Sequence, residues 1–294
     1  MTRIRIMTVI LVIVLIFGGY LAYSLLKVRT AQSVRFDHPD AIRKTALYRH
    51  VENLSVQIGP RSVYDYAPLS ASKVYIMGSL KKMGMEPQMQ EFSYHDQVFT
   101  NIISEIKGNV YPEKTILVGA HYDTVAGTPG ADDNASGVAA LLEICRLLKD
   151  SRPKRTIKFV FFCLEEPPVF RTQEMGSAVY ARLAKTKGEK IVAMLSLEML
   201  GYYHDKENAQ TYPVPVMRLF YPSRPNFIGV VGNVSSRNLL SSIWIDHPIS
   251  PFVILTIIIS LNALITRRKL NRILSSFYGN STHGPGLTLF SHAQ

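Results

Sequence analysis

Apolar residues recur along this chain with two different spacings. Helical spacing predicts helices over Ala41–Leu54, Ser70–Met83, Ser136–Leu148 and Gln173–Ala184. Short apolar runs predict strands over Met85–Tyr94, Phe99–Ile106, Thr115–Ala120, Thr156–Cys163 and Ile191–Leu197, with Asp96 and Gln97 as the turn between the first two.

From residue 115 onward the predicted strands and helices alternate. This order predicts an α/β fold, in which a mixed, centrally parallel sheet is flanked by helices. In such sheets, ligands bind outside the carboxyl ends of the strands. Polar residues that directly follow a strand are therefore the first candidates for a functional site.

A long apolar segment, Ile6 to Leu26, has 21 residues without a charge and follows Arg3 and Arg5. A helix of ~20 apolar residues spans a bilayer core, whereas the apolar part of a cleaved signal peptide has ~7–15. We expect residues 1–30 to be an uncleaved transmembrane anchor in contact with lipid, with a cleaved signal as the alternative. Arg3 and Arg5 precede the segment and Lys27 and Arg29 follow it, so the positive-inside rule hardly decides the orientation. A short N-terminal tail normally stays in the cytoplasm, so the body, residues 31–294, is expected to face the periplasm or the outside.

A second apolar run covers Pro251 to Ile265 and is followed by Arg267 and Arg268. Its 15 residues are few for a membrane span and many for one strand. A buried helix or a pair of strands is the favoured interpretation, and a second membrane segment is the alternative.

The formal net charge of +11 permits binding to nucleic acid or to anionic lipid. The basic residues are scattered and no nucleic-acid motif accompanies them, so we expect no nucleic-acid partner. The cysteines, Cys145 and Cys163, are too few for a disulfide framework and have the pattern of small buried apolar residues.

Acidic and imidazole side chains stand at the ends of the predicted strands. His121 and Asp123 follow the run TILVGA, the pair Glu165–Glu166 follows TIKFVFFC, and Glu198 follows IVAMLSL; Asp132 and Asp133 precede a helix. Taken singly, each cluster is ordinary, since an Asp before a helix is usually a cap. Together they fall on one edge of the predicted sheet, which indicates a shared site.

The residue types suit zinc, which binds imidazole nitrogen and carboxylate oxygen. His121 would supply the nitrogen, and Asp133, Glu166 and Glu198 the oxygens. A carboxylate can also bridge two metal ions. One member of the Glu165–Glu166 pair would bind metal while the other acts as general base, and Asp123 is placed to hold the imidazole.

These residues lie in the motifs GAHYDTV, GADDNASGVAALLE, LEEPPVFRTQEMGS and LSLEMLGYY. In them the chain resembles the M28 family of zinc peptidases, over Leu117–Tyr203 and more weakly from about 40 to 235. The resemblance implies a zinc exopeptidase fold with two zinc ions. It implies that His121 and Glu198 each bind one metal terminally, Asp133 bridges, and Glu166 binds the other terminal position. It also implies Glu165 as the general base and Asp123 as the partner of His121, with Glu198 where many relatives carry Asp.

The chain departs from the family pattern at its C-terminal end. No segment like YHTxxDT, which would carry a further His ligand, is present, and from about residue 241 the sequence is divergent or truncated. His283, His247 and His292 are the remaining candidates for that ligand. A missing ligand would leave the second metal loosely held.

Three functions follow from these features. The leading hypothesis is an aminopeptidase that hydrolyses N-terminal residues of peptides. Glutaminyl cyclisation with a single zinc is the second, and the joint presence of His121 and Asp133 argues against it. A non-catalytic membrane-anchored ectodomain is the third; the presence of Glu165 argues against it, and the divergent C-terminal end argues for it.

Overall fold

The computed structural model describes residues 7–8, 11–20, 29–30, 44–212, 215–219, 221–226, 228–232, 236, 239, 252–256 and 287–289. The chain forms two compact units. One comprises Val34–His204 and Pro285–Gln294, and the other comprises Met1–Ser33 and Asp205–Gly284. All the candidate residues from His121 to Glu198 belong to the first unit.

The first unit is built on a five-stranded sheet. Its strands are β1 (Gln88–Tyr94), β2 (Gln97–Ile106), β3 (Tyr111–His121), β4 (Arg155–Phe162) and β5 (Lys190–Ser196), in the order β1-β2-β4-β3-β5. β3 runs parallel to both β4 and β5, while β2 is antiparallel to β1 and β4. The predicted mixed sheet is therefore present, and its two parallel pairs are β4–β3 and β3–β5.

Among the described residues of the first unit, four α-helices accompany this sheet: α1 (Lys44–Glu52), α2 (Tyr66–Lys82), α3 (Gly137–Leu148) and α4 (Gly176–Thr186). Successive side chains of a strand point to opposite faces of the sheet. Phe161 of β4 accordingly joins the apolar core formed with α2 and α3, whereas Phe162 packs in a second core with Tyr180 of α4. Helices thus cover both faces, as the alternating pattern predicts.

Several boundaries differ from the sequence prediction. α2 begins at Tyr66, four residues before the predicted start, because the first turn of a helix tolerates a proline such as Pro68. The tight turn between β1 and β2 falls on His95 and Asp96, where His95 has a left-handed φ of 49°. α4 begins at Gly176 rather than at Gln173.

The second unit contains the strands Arg29–Thr30, Ile228–Gly232 and Phe252–Thr256. Phe252–Thr256 pairs in parallel with Ile228–Gly232 and antiparallel with Arg29–Thr30. Five residues of the predicted apolar run 251–265 are thus in a strand, and the others lie outside the described residues.

The predicted anchor is described in part. Residues 7–8 and 11–20 are helical with exposed side chains, and the rest of the segment from 6 to 26 lies outside the described residues. Within the described part of the chain, no helix combines the length and the apolar character needed to cross a membrane.

Candidate metal centre

The parallel strands bring the candidate residues to one edge of the sheet. β3 ends at His121, which pairs with Phe162, the last residue of β4. Glu165 and Glu166 follow β4 closely, and Glu198 follows β5, whose last residue, Ser196, pairs with Gly119. The carboxyl ends of parallel strands therefore gather chemistry from three distant parts of the chain.

Asp133 reaches this edge from the loop before α3. The backbone between Ala131 and Ser136 is not regular helix, since Asp133 has φ −102° and ψ 95°, and the peptide bond from Asp133 to Asn134 is cis. The fully buried Asn134 fixes this loop, because its Nδ2 donates to Leu197 O at 2.9 Å. Its Oδ1 accepts from Met199 N at 3.2 Å, so Asn134 ties the Asp133 loop to the segment that carries Glu198.

One imidazole nitrogen lies at the centre of the cluster. His121 Nε2 is 3.0 Å from Glu198 Oε1, 3.2 Å from Asp133 Oδ1 and 4.0 Å from Glu166 Oε1. Ligand atoms of His121, Asp133 and Glu198 all lie within 4.8 Å of one another. The other ring nitrogen, Nδ1, is 3.4 Å from Asp123 Oδ1, as expected for a carboxylate that orients the ring.

Asp123 also organises the two glutamates. Its Oδ2 accepts hydrogen bonds from the backbone N–H groups of Glu165, at 2.9 Å, and Glu166, at 3.0 Å. The side chains of the pair then diverge. Glu166 approaches His121, whereas both oxygens of Glu165 accept hydrogen bonds from Ser177, from its N–H at 2.6 Å and its hydroxyl at 2.7 Å.

The electrostatics of the cluster show an excess of negative groups. Burial raises the pKa of Glu166 to about 8. The neighbouring Asp133 also raises it, whereas His121 lowers it. Burial also raises the pKa of Glu198. Burial opposes the charged form of His121, but the surrounding Glu198, Asp123 and Asp133 together raise its pKa well above the usual value. One imidazole is thus surrounded by more carboxyl groups than it can neutralise.

These residues fit a zinc ion. An imidazole nitrogen and several carboxylate oxygens form the donor set that zinc takes. Among the described residues, the buried Oδ1 of Asp133 lies 3.2 Å from His121 Nε2 but is not hydrogen-bonded to it, although buried polar atoms are normally paired. A divalent cation beside His121, Asp133 and Glu198 would satisfy that atom and neutralise the local negative charge.

Glu165 lies in a different environment. Burial raises the pKa of its carboxyl group to about 7, while the hydrogen bonds from Ser177 act in the opposite direction. A general base is most effective when its pKa lies near the working pH. Glu165 is therefore suited to exchange protons near neutrality.

The structure brings together all six residues that the sequence indicated, namely His121, Asp123, Asp133, Glu165, Glu166 and Glu198. His247, His283 and His292, the candidates for a further ligand, lie outside the described residues.

Sequence reasoning missed the residues that support the cluster. Ser177 and Asn134 stand inside motifs that the sequence did display, but nothing in those motifs indicates their partners. Arg61, with 0% of its surface exposed, was missed as well. Its guanidinium group donates hydrogen bonds to the carbonyl oxygens of Leu54, Gly59, Tyr122, Pro129 and Gly130.

Arg61 therefore fixes both the strand end after His121 and the loop before Asp133. Burial lowers its pKa to about 10, with Asp123 and Asp133 opposing the shift, so the side chain is cationic at neutral pH. This buried positive charge offsets part of the negative charge of the cluster.

Comparison with known proteins places these motifs in a family. Residues 101–217 match the model of Peptidase family M28. The uncharacterized protein YfbL of Escherichia coli is 36% identical over 217 residues, which are 71% of this chain and 64% of that protein. A probable aminopeptidase of Saccharomyces cerevisiae is 30% identical over 133 residues, which are 41% of this chain and 34% of that protein.

A crystal structure of Fimbriiglobus ruber glutaminyl cyclase is similar with a TM-score of 0.51 at 21% identity, covering 73% of this chain and 72% of that one. At this identity the likeness concerns the fold alone. The chain spans 64% of YfbL and 34% of the yeast protein. The matches confirm the resemblance to M28 zinc peptidases.

Proposed function

We propose that this chain, whose residues 101–217 belong to peptidase family M28, is a zinc-dependent exopeptidase that hydrolyses N-terminal residues of peptides. The observation that carries the proposal is the position of Glu165. Its backbone N–H group and that of Glu166 are both held by Asp123, the carboxylate next to His121. Its carboxyl group is held by Ser177 and not by the cluster of His121, Asp133 and Glu198 that fits a metal ion, so it stays available as a base.

His121, Asp133 and Glu198 would hold one zinc ion, and Glu166 would contribute to a second ion that shares Asp133. Bound zinc would act as a Lewis acid toward the scissile carbonyl group. Asp123 keeps the His121 ring in the orientation that directs Nε2 into the cluster.

Glu165 would carry out both proton transfers of the reaction. With a pKa of about 7, its carboxylate accepts a proton from the attacking water at neutral pH. The same carboxyl group then donates that proton to the leaving amine. The hydrogen bonds from the Ser177 N–H and hydroxyl hold both of its oxygens in place between the two steps.

The test compares the purified full chain with its Glu165→Gln variant. Zinc content is measured by mass spectrometry, and hydrolysis of leucine amide is followed together with cyclisation of a peptide that begins with glutamine. We expect about two zinc ions in both proteins and a loss of roughly 100-fold or more in kcat for the variant. Full hydrolysis by Glu165→Gln would overturn the mechanism.

The other outcomes identify the alternatives. One zinc ion together with cyclisation would indicate a glutaminyl cyclase. An absence of zinc and of both activities would indicate a non-catalytic ectodomain. The chelated wild-type protein is the control, because hydrolysis must return when zinc is added back.

We also propose that the chain is anchored in a membrane by its N-terminal segment, with the first unit on the periplasmic or extracellular side. The support is the uncharged apolar run from Ile6 to Leu26 and the exposure of large apolar side chains in helical residues 11–20, such as Ile16 at 66% and Phe17 at 65%. Fractionation of cells that express the full chain, or the chain without residues 1–30, tests this proposal. Recovery of the full chain in the soluble fraction would refute it.

A further inference from the structure

A single buried amide, that of Asn101 in β2, contacts both ends of the loop that carries Glu165 and Glu166. The side chain of Asn101 is fully buried, with 0% of its surface exposed. Its Oδ1 accepts a hydrogen bond from Cys163 N at 3.0 Å, directly before the loop. Its Nδ2 donates to Gly176 O at 2.7 Å, directly after the loop.

The hydrogen-bond partners of Asn101 together fix the orientation of its amide group. Nδ2 also donates to Gln90 Oε1 at 2.9 Å, across the β1–β2 pair. A flipped amide would direct its NH₂ group at the Cys163 N–H and its oxygen at the Gly176 carbonyl, so it would lose these bonds. Asn101 therefore has one orientation, which matches both ends of the loop.

The two loop ends also bind each other closely. Gly176 N donates to Cys163 O at 3.0 Å. A Cβ atom on residue 176 would lie 2.2 Å from Cys163 O and 2.4 Å from Asn101 Oδ1, which is much too near for either contact. The glycine therefore permits the approach by which Asn101 holds the base of the loop.

The peptide group that joins Gly176 to Ser177 connects this base to Glu165. Its carbonyl oxygen accepts from Asn101 at 2.7 Å, and its N–H donates to Glu165 Oε1 at 2.6 Å. A peptide group is planar, so fixing the direction of its oxygen also fixes the direction of its N–H. A hydrogen bond to the carbonyl oxygen also polarises the group and strengthens the bond that its N–H donates.

We propose that Asn101 is a positioning residue, which holds Glu165 in place through the peptide group between Gly176 and Ser177. This inference rests on the proposed role of Glu165 as the general base. The printed hydrogen bonds of the Asn101 side chain go to Gln90, Cys163 and Gly176, so it acts by fixing the loop of residues 164–175 and the donor that orients the base.

The experiment uses the full chain with Asn101→Ala, and with Asn101→Asp as a second variant that keeps an acceptor for Cys163 but lacks both donors. The matched control is Thr156→Val. Thr156 is also buried, and its hydroxyl accepts from Gly108 N and donates to Pro112 O near the amino end of β4, away from the loop. Deuterium exchange of residues 164–175, thermal unfolding, zinc content and steady-state kinetics are measured for all four proteins.

We expect both Asn101 variants to exchange residues 164–175 at least about tenfold faster than wild type. We expect kcat to fall by roughly 10–100-fold with KM changed less than about threefold, because the base loses its orientation while substrate binding is kept. Thr156→Val should lower the unfolding temperature without either effect.

Equal exchange of the loop in wild type and in the Asn101 variants would overturn the inference, and so would a loss of stability that matches Thr156→Val with kcat unchanged. The exchange measurement does not need activity. If wild type proves to hydrolyse no peptide, the proposed function fails, while faster exchange confined to residues 164–175 would still support the structural role of Asn101.

Discussion

The hydroxyl group of Ser177 offers the most direct test of the assignment of Glu165. Burial raises the pKa of Glu165 to about 7, and the two hydrogen bonds from Ser177 act against that rise. Ser177→Ala removes the hydroxyl bond of 2.7 Å and leaves the backbone N–H bond of 2.6 Å. The ionised carboxylate is the form that loses a partner, so the pKa of Glu165 must increase.

A hydrogen bond to a charged group contributes about 1.5–3 kcal/mol. Since about 1.4 kcal/mol corresponds to one pKa unit, we expect the pKa of Glu165 to rise by roughly 1–2 units in Ser177→Ala. Hydrolysis requires the ionised form, so the acid limb of the kcat profile should move to higher pH by that amount. At a pH well below both acid limbs, activity should fall by roughly 10–100-fold, and it should return to the wild-type value well above the new pKa.

The assay is leucine-amide hydrolysis by zinc-loaded wild type and Ser177→Ala over the pH range in which both proteins stay folded. The quantity measured is the difference in pH between the acid limbs of the two proteins, because bound zinc would lower the pKa of Glu165 in both of them. Ser136→Ala is the control. The Ser136 hydroxyl accepts from Leu200 N at 2.8 Å and donates to Asp132 O at 2.7 Å, without contacting Glu165. Acid limbs that coincide in wild type and Ser177→Ala would refute the assignment.

Three further predictions concern stability and metal binding. Arg61→Met should lower the free energy of unfolding by at least about 4 kcal/mol, because five carbonyl groups each lose a hydrogen bond from a charged donor, although Leu54 O and Gly130 O keep a backbone donor. Calorimetry should show an unfolding temperature lower by roughly 8–16 °C. A drop below about 2 °C would contradict the role given to Arg61. Gly137→Ala would place a Cβ atom 2.3 Å from Asn134 Oδ1 and 2.6 Å from Leu197 O, so it would disturb the contact that ties the Asp133 loop to the Glu198 segment. Zinc affinity, measured by competition with a chelator, should therefore fall by roughly 10–100-fold. Unchanged affinity would count against the role given to Asn134. Zinc at about 100 times its Kd should stabilise the folded chain by about 2.7 kcal/mol, and the gain should be absent in His121→Ala.

Much of the candidate metal centre could be predicted because its information is local in the sequence. His121, Glu165, Glu166 and Glu198 each follow an apolar run that is long enough to be a buried strand. Parallel strands linked by helices bring their carboxyl ends to one edge, so the order of elements was enough to predict convergence. The chemistry of imidazole and carboxylate then indicated zinc.

Other features of the same sequence were predicted less well. The start of α4 is one example, because Gln173–Met175 have residue types that a helix accepts but belong to the loop fixed at Gly176. The turn at His95 and Asp96 is another, since a left-handed φ at His95 has no strong signature in sequence. In both places a contact or a backbone conformation decided the boundary.

The sequence by itself determined the α/β order, the strands that end at the candidate site and the six residues that lie at their ends or in the loop before α3. The tertiary structure decided how those side chains are held. Asn101 contacts Cys163 and Gly176, residues 62 and 75 positions away along the chain, and Arg61 binds Gly130 across 69 positions. A buried amide or guanidinium group binds whichever carbonyl oxygens the packing places within about 3 Å of it. Such partners depend on the register of the sheet and the path of the loops, which no short stretch of sequence contains.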